Sequence, residues 1–218
     1  MMPGGAYSAE RAAALSGVPL STVHYWARTD ILVPGVSPER VKLWSFADLL
    51  ALRTIYWLRQ EKKVRGWDIP RTTMPTVRRA LAALKRQELE VFPDDRDSTI
   101  VIDRKGKIFI RNRGAIRTTE GQHVLDLLDL IAPFETAEGL YGPDLRRPRP
   151  LLRIVPGKLG GSPHVRETRL ETEAIAALGE RGFSVGAIRK LYPFVLPEAI
   201  DQAIDLERQL ARNVLVAA

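Results

Sequence analysis

The 218-residue chain contains no cysteine. That excludes a disulfide framework, a thiolate metal site and a cysteine nucleophile. It has only three histidines, His24, His123 and His164, and they fall in separate segments, so a histidine metal triad is disfavoured. No metal and no organic cofactor is expected. No apolar run is long enough to span a bilayer, and Met-Met-Pro-Gly-Gly is not followed by the segments of a secretion signal. A cytoplasmic chain with no membrane partner is expected. His-Glu-x-x-His and Gly-x-Ser-x-Gly are missing. Gly157-Lys158-Leu159-Gly160-Gly161-Ser162 lacks the spacing of a phosphate loop and reads as a turn. Asp94-Asp95-Arg96-Asp97 lacks the glycine and distal glutamate of a calcium loop. No enzyme is expected, and no catalytic residue is assigned.

What the chain does have is positive charge. The net charge is +7 and the pI about 9.9. Residues 1–90 hold 14 Lys and Arg against 8 Asp and Glu, residues 91–150 hold 10 of each, and residues 151–218 hold 9 against 8. The surplus lies in the first part, where a polyanion such as nucleic acid would gain from counterion release.

The same part carries a helix pair. Ser8 suits a helix cap, Glu10 suits the first turn, and Gly17 stops the helix after Leu15. Pro19 opens a second helix that runs to about Thr29. Val23 and Trp26 share one face and can pack on Ala12 and Leu15. The other face presents Ser21, Thr22, His24, Tyr25 and Arg28, a polar front for a major groove. Arg40-Val41-Lys42-Leu43-Trp44 alternates as a strand does. Arg40 and Lys42 then face phosphates from a two-stranded wing. Ser45 and Asp48 form a near capping box for a third helix, and a fourth spans about Met74 to Gln87.

Residues 7 to about 87, with Tyr25-Trp26 and Trp44-Ser45-Phe46-Ala47-Asp48-Leu49, resemble the winged-helix domain of the MerR family. Members of that family often carry Arg where this chain has Ser21 and His24. The resemblance implies binding of double-stranded operator DNA.

Further on, Thr99–Ile102 and Lys107–Ile110 read as a β-hairpin, and His123 to Ile131 as a short amphipathic helix. Residues 134–150 are rich in Pro, Gly and charge and read as a linker or extended arm. Two short strands follow, at Leu151–Ile154 and His164–Leu170. Three helices come next, with Ile175, Leu178, Ile188, Leu191, Ile200, Ala203, Ile204 and Leu210 inward. The fold expected is mainly α with small β elements. Its parts are a winged helix-turn-helix at 1–87, a hairpin and short helix at 88–133, a linker or arm at 134–152, and a trihelical domain at 153–218.

Gly160-Gly161-Ser162-Pro163-His164-Val165-Arg166, Thr168-Arg169, Tyr192-Pro193 and Pro197-Glu198-Ala199 resemble a small domain of bacterial antitoxins, long catalogued as a domain of unknown function. That family usually has Gly just before Thr-Arg, where this chain has Glu167. With the MerR-like part, the chain is similar to VapB-like antitoxins. The resemblance implies a type II toxin-antitoxin role: neutralising a PIN-type ribonuclease toxin and repressing its own operon as a homodimer. Arg146, Arg147 and Arg149 are the candidate toxin contacts. Ile154, Val165, Arg166 and Arg169 are the candidate dimer contacts. The alternative is a MerR-like regulator or architectural DNA-binding protein without a toxin partner.

Overall fold

The structure is a computed structural model. It describes residues 4–60, 62–64, 67–69, 71–91, 99–102, 108–112, 115–116, 128–136 and 139–215, with side chains at 4–60, 71–82, 129–136 and 139–215. Among these, the elements run α1 (Ala9–Ser16), α2 (Leu20–Arg28), α3 (Phe46–Arg59), β1 (Lys62–Val64), β2 (Trp67–Ile69) and α4 (Met74–Val91). Next come β3 (Thr99–Ile102), β4 (Ile108–Asn112), β5 (Ala115–Ile116), β6 (Leu128–Asp129), β7 (Phe134–Glu135) and β8 (Tyr141–Gly142). The chain ends with β9 (Leu152–Arg153), a 3-10 turn at Leu159–Gly161, β10 (His164–Val165), α5 (Thr172–Glu180), α6 (Val185–Leu191) and α7 (Pro197–Leu215). The described chain is mainly helical, with small antiparallel strand pairs.

The chain divides into two compact units, one of residues 1–49 with 133–218 and one of residues 50–132. The first and last segments therefore share a core. In that larger unit α1 packs on α2 and also on α7, and α7 packs on α5 and α6. The sequence of α7 explains its central place. Pro197 opens it, and Ala199, Ile200, Ala203, Leu206 and Leu210 form a buried stripe at helical spacing. Two polar residues continue the stripe with their hydrogen bonds satisfied. Asn213 Nδ2 donates to Ala14 O at 2.9 Å and to Tyr141 O at 2.8 Å, and Gln209 Nε2 donates to Tyr141 O at 2.7 Å.

A charge pair fastens α1 to α7. Arg11 Nη1 and Nη2 donate to Glu207 Oε2 and Oε1 at 2.5 and 2.8 Å, and the Thr172 hydroxyl also donates to Glu207. Burial alone would lower the Arg11 pKa. The hydrogen bonds and charge of Glu207 outweigh it and hold the guanidinium above its ordinary value. At the amino end the Tyr7 hydroxyl donates to Gly161 O at 2.9 Å, and burial pushes its pKa up.

Residues 134–136 and 139–152 belong to this core, in contrast to the linker or arm expected from the composition of 134–152. Phe134, Leu140, Leu145 and Leu152 are buried, and β7 pairs with β8. Four apolar anchors are enough to seat a stretch otherwise rich in Pro and Gly.

The smaller unit contains α3 from Leu50 on, the β1–β2 hairpin, α4 and a four-stranded antiparallel sheet in the order β5-β4-β3-β6. The expected hairpin is present, with Ile100 opposite Ile110 and Ile102 opposite Ile108. The helix expected over His123 to Ile131 is not present at its carboxyl end, since Leu128–Asp129 is strand β6 on Ile102 and Val101. Residues 123–127 and the acidic turn 94–97 lie outside the described residues. Fully buried Arg53 donates from Nη1 to Leu130 O, Ile131 O and Ala132 O at 3.0, 3.3 and 2.7 Å. A guanidinium in a core is tolerated because carbonyl dipoles replace its water. No helix among the described residues is long and apolar enough to cross a membrane.

Candidate nucleic-acid interface

The interface is built on α1. Ser8 caps it, its Oγ accepting from Arg11 N at 3.2 Å. The Glu10 carboxylate lies below its ordinary pKa, held there by a backbone hydrogen bond at the helix start, then by the Ser8 hydroxyl and the nearby His24. Gly17 ends α1 at φ 74°, a conformation open to glycine, and its N–H donates to Ala13 O at 2.9 Å. Val18 is buried in the turn, and Pro19 precedes α2.

α2 is divided as its sequence predicts. Val23, Trp26 and Ala27 are buried. Ser21, His24, Tyr25 and Arg28 are exposed, Tyr25 by 49%, and Thr22 is half-buried. The positions 21, 24, 25 and 28 make one stripe along the helix. No side chain caps the amino end of α2, because its cap position is Pro19. Its first-turn N–H groups are therefore not taken by a capping side chain, and the helix dipole favours an anion there. The stripe offers hydroxyl, imidazole, phenol and guanidinium groups, a set suited to phosphates and base edges.

The wing is more irregular than its alternation suggests. A single isolated bridge joins Ser37 to Leu43, and another joins Tyr7 to Trp44. Val41, which the alternation sets on the face opposite Arg40 and Lys42, is 67% exposed. Arg40 stands exposed at the tip, while Lys42 is half-buried with Nζ 3.5 Å from Pro38 O and from Glu39 O. The wing base is held by Asp48, whose Oδ2 accepts from Gly35 N at 2.8 Å and Ser45 N at 2.7 Å. The capping-box spacing announced the bond to Ser45. The bond to Gly35, 13 residues away, had no local signal.

The other candidate residues divide between contacts within the chain and the surface. Arg149 is bound within the chain, donating to Asp205 Oδ2 from Nε at 2.9 Å and Nη2 at 2.7 Å, and to Gln209 Oε1 at 2.7 Å. The backbone N–H groups of Arg146 and Arg147 both donate to Asp144 Oδ1, at 2.7 and 2.6 Å. Ile154 and Val165, expected at a dimer contact, are core residues of this chain. Arg166 and Arg169 are exposed. Leu191, expected inward, is 55% exposed. His164 is buried with Nδ1 3.0 Å from Ser162 O, and burial lowers its pKa.

Glu167 is the position where the resembling domain usually has Gly, and it stands at φ 63°. The turn keeps its left-handed residue although the side chain disfavours it. Thr168 stabilises the turn, its hydroxyl donating to Val165 O at 2.9 Å and accepting from Leu170 N at 3.1 Å.

Among the described residues no group of three or more His, Cys, Asp and Glu side chains is placed to hold a metal ion. No match is found among curated proteins or among solved structures. A family model described as MerR HTH family regulatory protein matches residues 7–64, and one described as protein of unknown function (DUF433) matches residues 153–205. The chain thus carries a MerR-family helix-turn-helix domain at its amino end and a DUF433 domain at its carboxyl end.

Proposed function

We propose that this chain is a DNA-binding antitoxin of a type II toxin-antitoxin system, which represses its own operon and neutralises a PIN-type ribonuclease toxin. The DNA-binding part rests on one observation: α2 buries Val23 and Trp26 and turns Ser21, His24, Tyr25 and Arg28 outward behind an amino end that no side chain caps. The toxin-binding part is supported by the union of a MerR-type domain with a DUF433 domain in one chain, the combination for which the VapB-like resemblance stands. The toxin would meet a folded surface, since 139–152 is packed on α7 and Arg149 is already paired.

A gel-shift titration against the DNA upstream of the chain's own reading frame tests the first part. Arg28→Ala is expected to weaken binding about tenfold, within the range for one base or phosphate contact. Equal affinity for that DNA and an unrelated duplex at about 150 mM salt would remove the repressor role. Co-expression with the neighbouring reading frame tests the second part. A stable, stoichiometric complex that silences ribonuclease activity is expected, and a product that never associates would leave only the DNA-binding regulator.

A further inference from the structure

Four of the nine exposed large apolar side chains among the described residues fall between positions 183 and 196: Phe183, Leu191, Phe194 and Leu196. They flank α6. Phe183 stands just before the Ser184 cap, and Leu191 is the last residue of the helix. At 1.5 Å per residue α6 is only about 10 Å long, so its two ends are close neighbours. The turn into α7 shows why the apolar groups face out. Val195 N donates to Tyr192 O at 3.0 Å, and Val195 is buried. On either side of it, Phe194 and Leu196 are turned from the core, 66% and 59% exposed. The Tyr192 ring meets Phe194 edge-on at 6.2 Å, which limits the motion of the Phe194 ring. Ile175, Ile188 and Ile200 are fully buried, so the bundle of α5, α6 and α7 closes its core without these four.

The charge around them has one sign. Residues 181–196 include Arg181, Arg189 and Lys190 and no Asp or Glu. All three cations are exposed, and among the described residues none is held through its side chain by a hydrogen bond or ion pair. A nucleic-acid backbone would satisfy these cations and leave Phe194 and Leu196 in water. A second copy meeting this surface across a two-fold axis would set the three cations against their own counterparts, in a chain whose net charge is already +7. Both halves of the surface are satisfied by a protein that offers an apolar hollow rimmed by carboxylates. Aromatic and aliphatic anchors fill the hollow, and the cations on the rim steer the encounter.

We propose that Leu191, Phe194 and Leu196, bordered by Arg181, Arg189 and Lys190, form the docking surface for a protein with an acid-rimmed apolar hollow, and that this protein is the toxin. The identity of the partner rests on the antitoxin reading above. The surface lies at the far end of the DUF433 match from β9 and β10, so the toxin would leave the strand pair and α2 untouched.

The test is biolayer interferometry of the full chain against the purified product of the neighbouring reading frame, from about 50 to 200 mM NaCl. Phe194→Ser with Leu196→Ser is expected to weaken Kd about 100-fold, mostly through faster dissociation. Arg189→Glu with Lys190→Glu is expected to slow association about tenfold at the low-salt end and to flatten its salt dependence. All four side chains are exposed, so the thermal unfolding midpoint is expected to hold in both variants. If the serine variant does not fold, the charge-reversal variant carries the test alone. Wild-type Kd and rates in the variants overturn the docking surface and leave the antitoxin reading standing. No binding by the wild-type chain overturns both. Self-association of the chain alone, seen by sedimentation and abolished by the serine pair, overturns the proposal and assigns the surface to a second copy. Loss of duplex-DNA affinity in the charge-reversal variant, with the protein complex intact, overturns it too and assigns the cations to nucleic acid.

Discussion

The two helix pairs of the larger unit, α1–α2 and α5–α6, share a backbone plan and differ in what surrounds it. Each first helix is closed by a glycine with positive φ, Gly17 at 74° and Gly182 at 85°. Gly17 is buried, and a Cβ there would come within 2.6 Å of Gly142 N. Gly182 is exposed, and a Cβ there would meet nothing within 4 Å. The second helices differ in the same manner. α6 caps itself, Ser184 Oγ accepting from Ala187 N at 3.2 Å, whereas α2 follows Pro19 and has no side-chain cap. One pair is braced behind by β8 and leaves its front open to an external acceptor. The other occupies its own helix start, and although α5 and α6 pack on α7, nothing lies against its turn glycine.

The largest effect should therefore come from Gly17→Ala. The left-handed conformation costs about 1–2 kcal/mol for a residue with Cβ, and a reduced unfolded-state entropy offsets about 0.4–1 of that. The collision with the Gly142 backbone adds about 1–3 kcal/mol of overpacking. A total loss of about 3 kcal/mol in urea unfolding is expected, against about 1 kcal/mol for Gly182→Ala, where only the conformational term acts. Equal losses would mean that β8 does not brace the turn, and the comparison would collapse to a shared backbone rule.

How much of this was legible depends on distance along the chain. Ser8, Gly17, Pro19, Ser184 and Pro197 act within a turn of themselves, and the helices they bound could be placed from sequence. The polar stripe of α2 was legible for the same reason. The covering of α1 by α7 was not, because Arg11 and Glu207 are 196 positions apart and each reads locally as a solvated charge. Strand β6 was hidden for a related reason. Leu127, Leu128 and Ile131 fit a helical period, and only the pairing with Val101 and Ile102 makes Leu128–Asp129 a strand. The left-handed turn at Glu167 was foreshadowed by the glycine of the resembling domain, but whether a glutamate would adopt it was decided by its neighbours.

The bracing can be loosened from the α7 side. Arg11→Met removes the partner of Glu207 while keeping most of the apolar stem. A loss of about 2 kcal/mol is expected, since the ion pair is largely buried, with side-chain exposures of 20% and 11%. Adding Glu207→Gln should recover part of it, because no unpaired charge then remains. A double-mutant cycle with no coupling would show that α1 is held to α7 by apolar packing alone.

The open front of α2 can be closed by giving it the cap that α6 has. Pro19→Asp places a carboxylate at the cap position, where backbone torsions of −52° and 136° suit it. The gained cap and the lost proline rigidity roughly cancel in stability. DNA affinity is expected to fall about tenfold, because the carboxylate takes the N–H groups and repels phosphate. Unaltered affinity would show that the amino end of α2 does not face the duplex.

The smallest expected effect has the opposite sign. Glu167→Gly should stabilise the chain by up to about 1 kcal/mol, since relief of the left-handed strain exceeds the added unfolded-state entropy. The hydrogen bonds of Thr168 to Val165 and Leu170 keep the turn closed in either case. This sharpens the contrast with Gly17 and Gly182, because it runs the same conformational term backwards at a third site. Thermal unfolding of the single variant measures it. A loss of stability would mean that Glu167 contributes more through its 3.5 Å contact with Arg166 than its backbone costs.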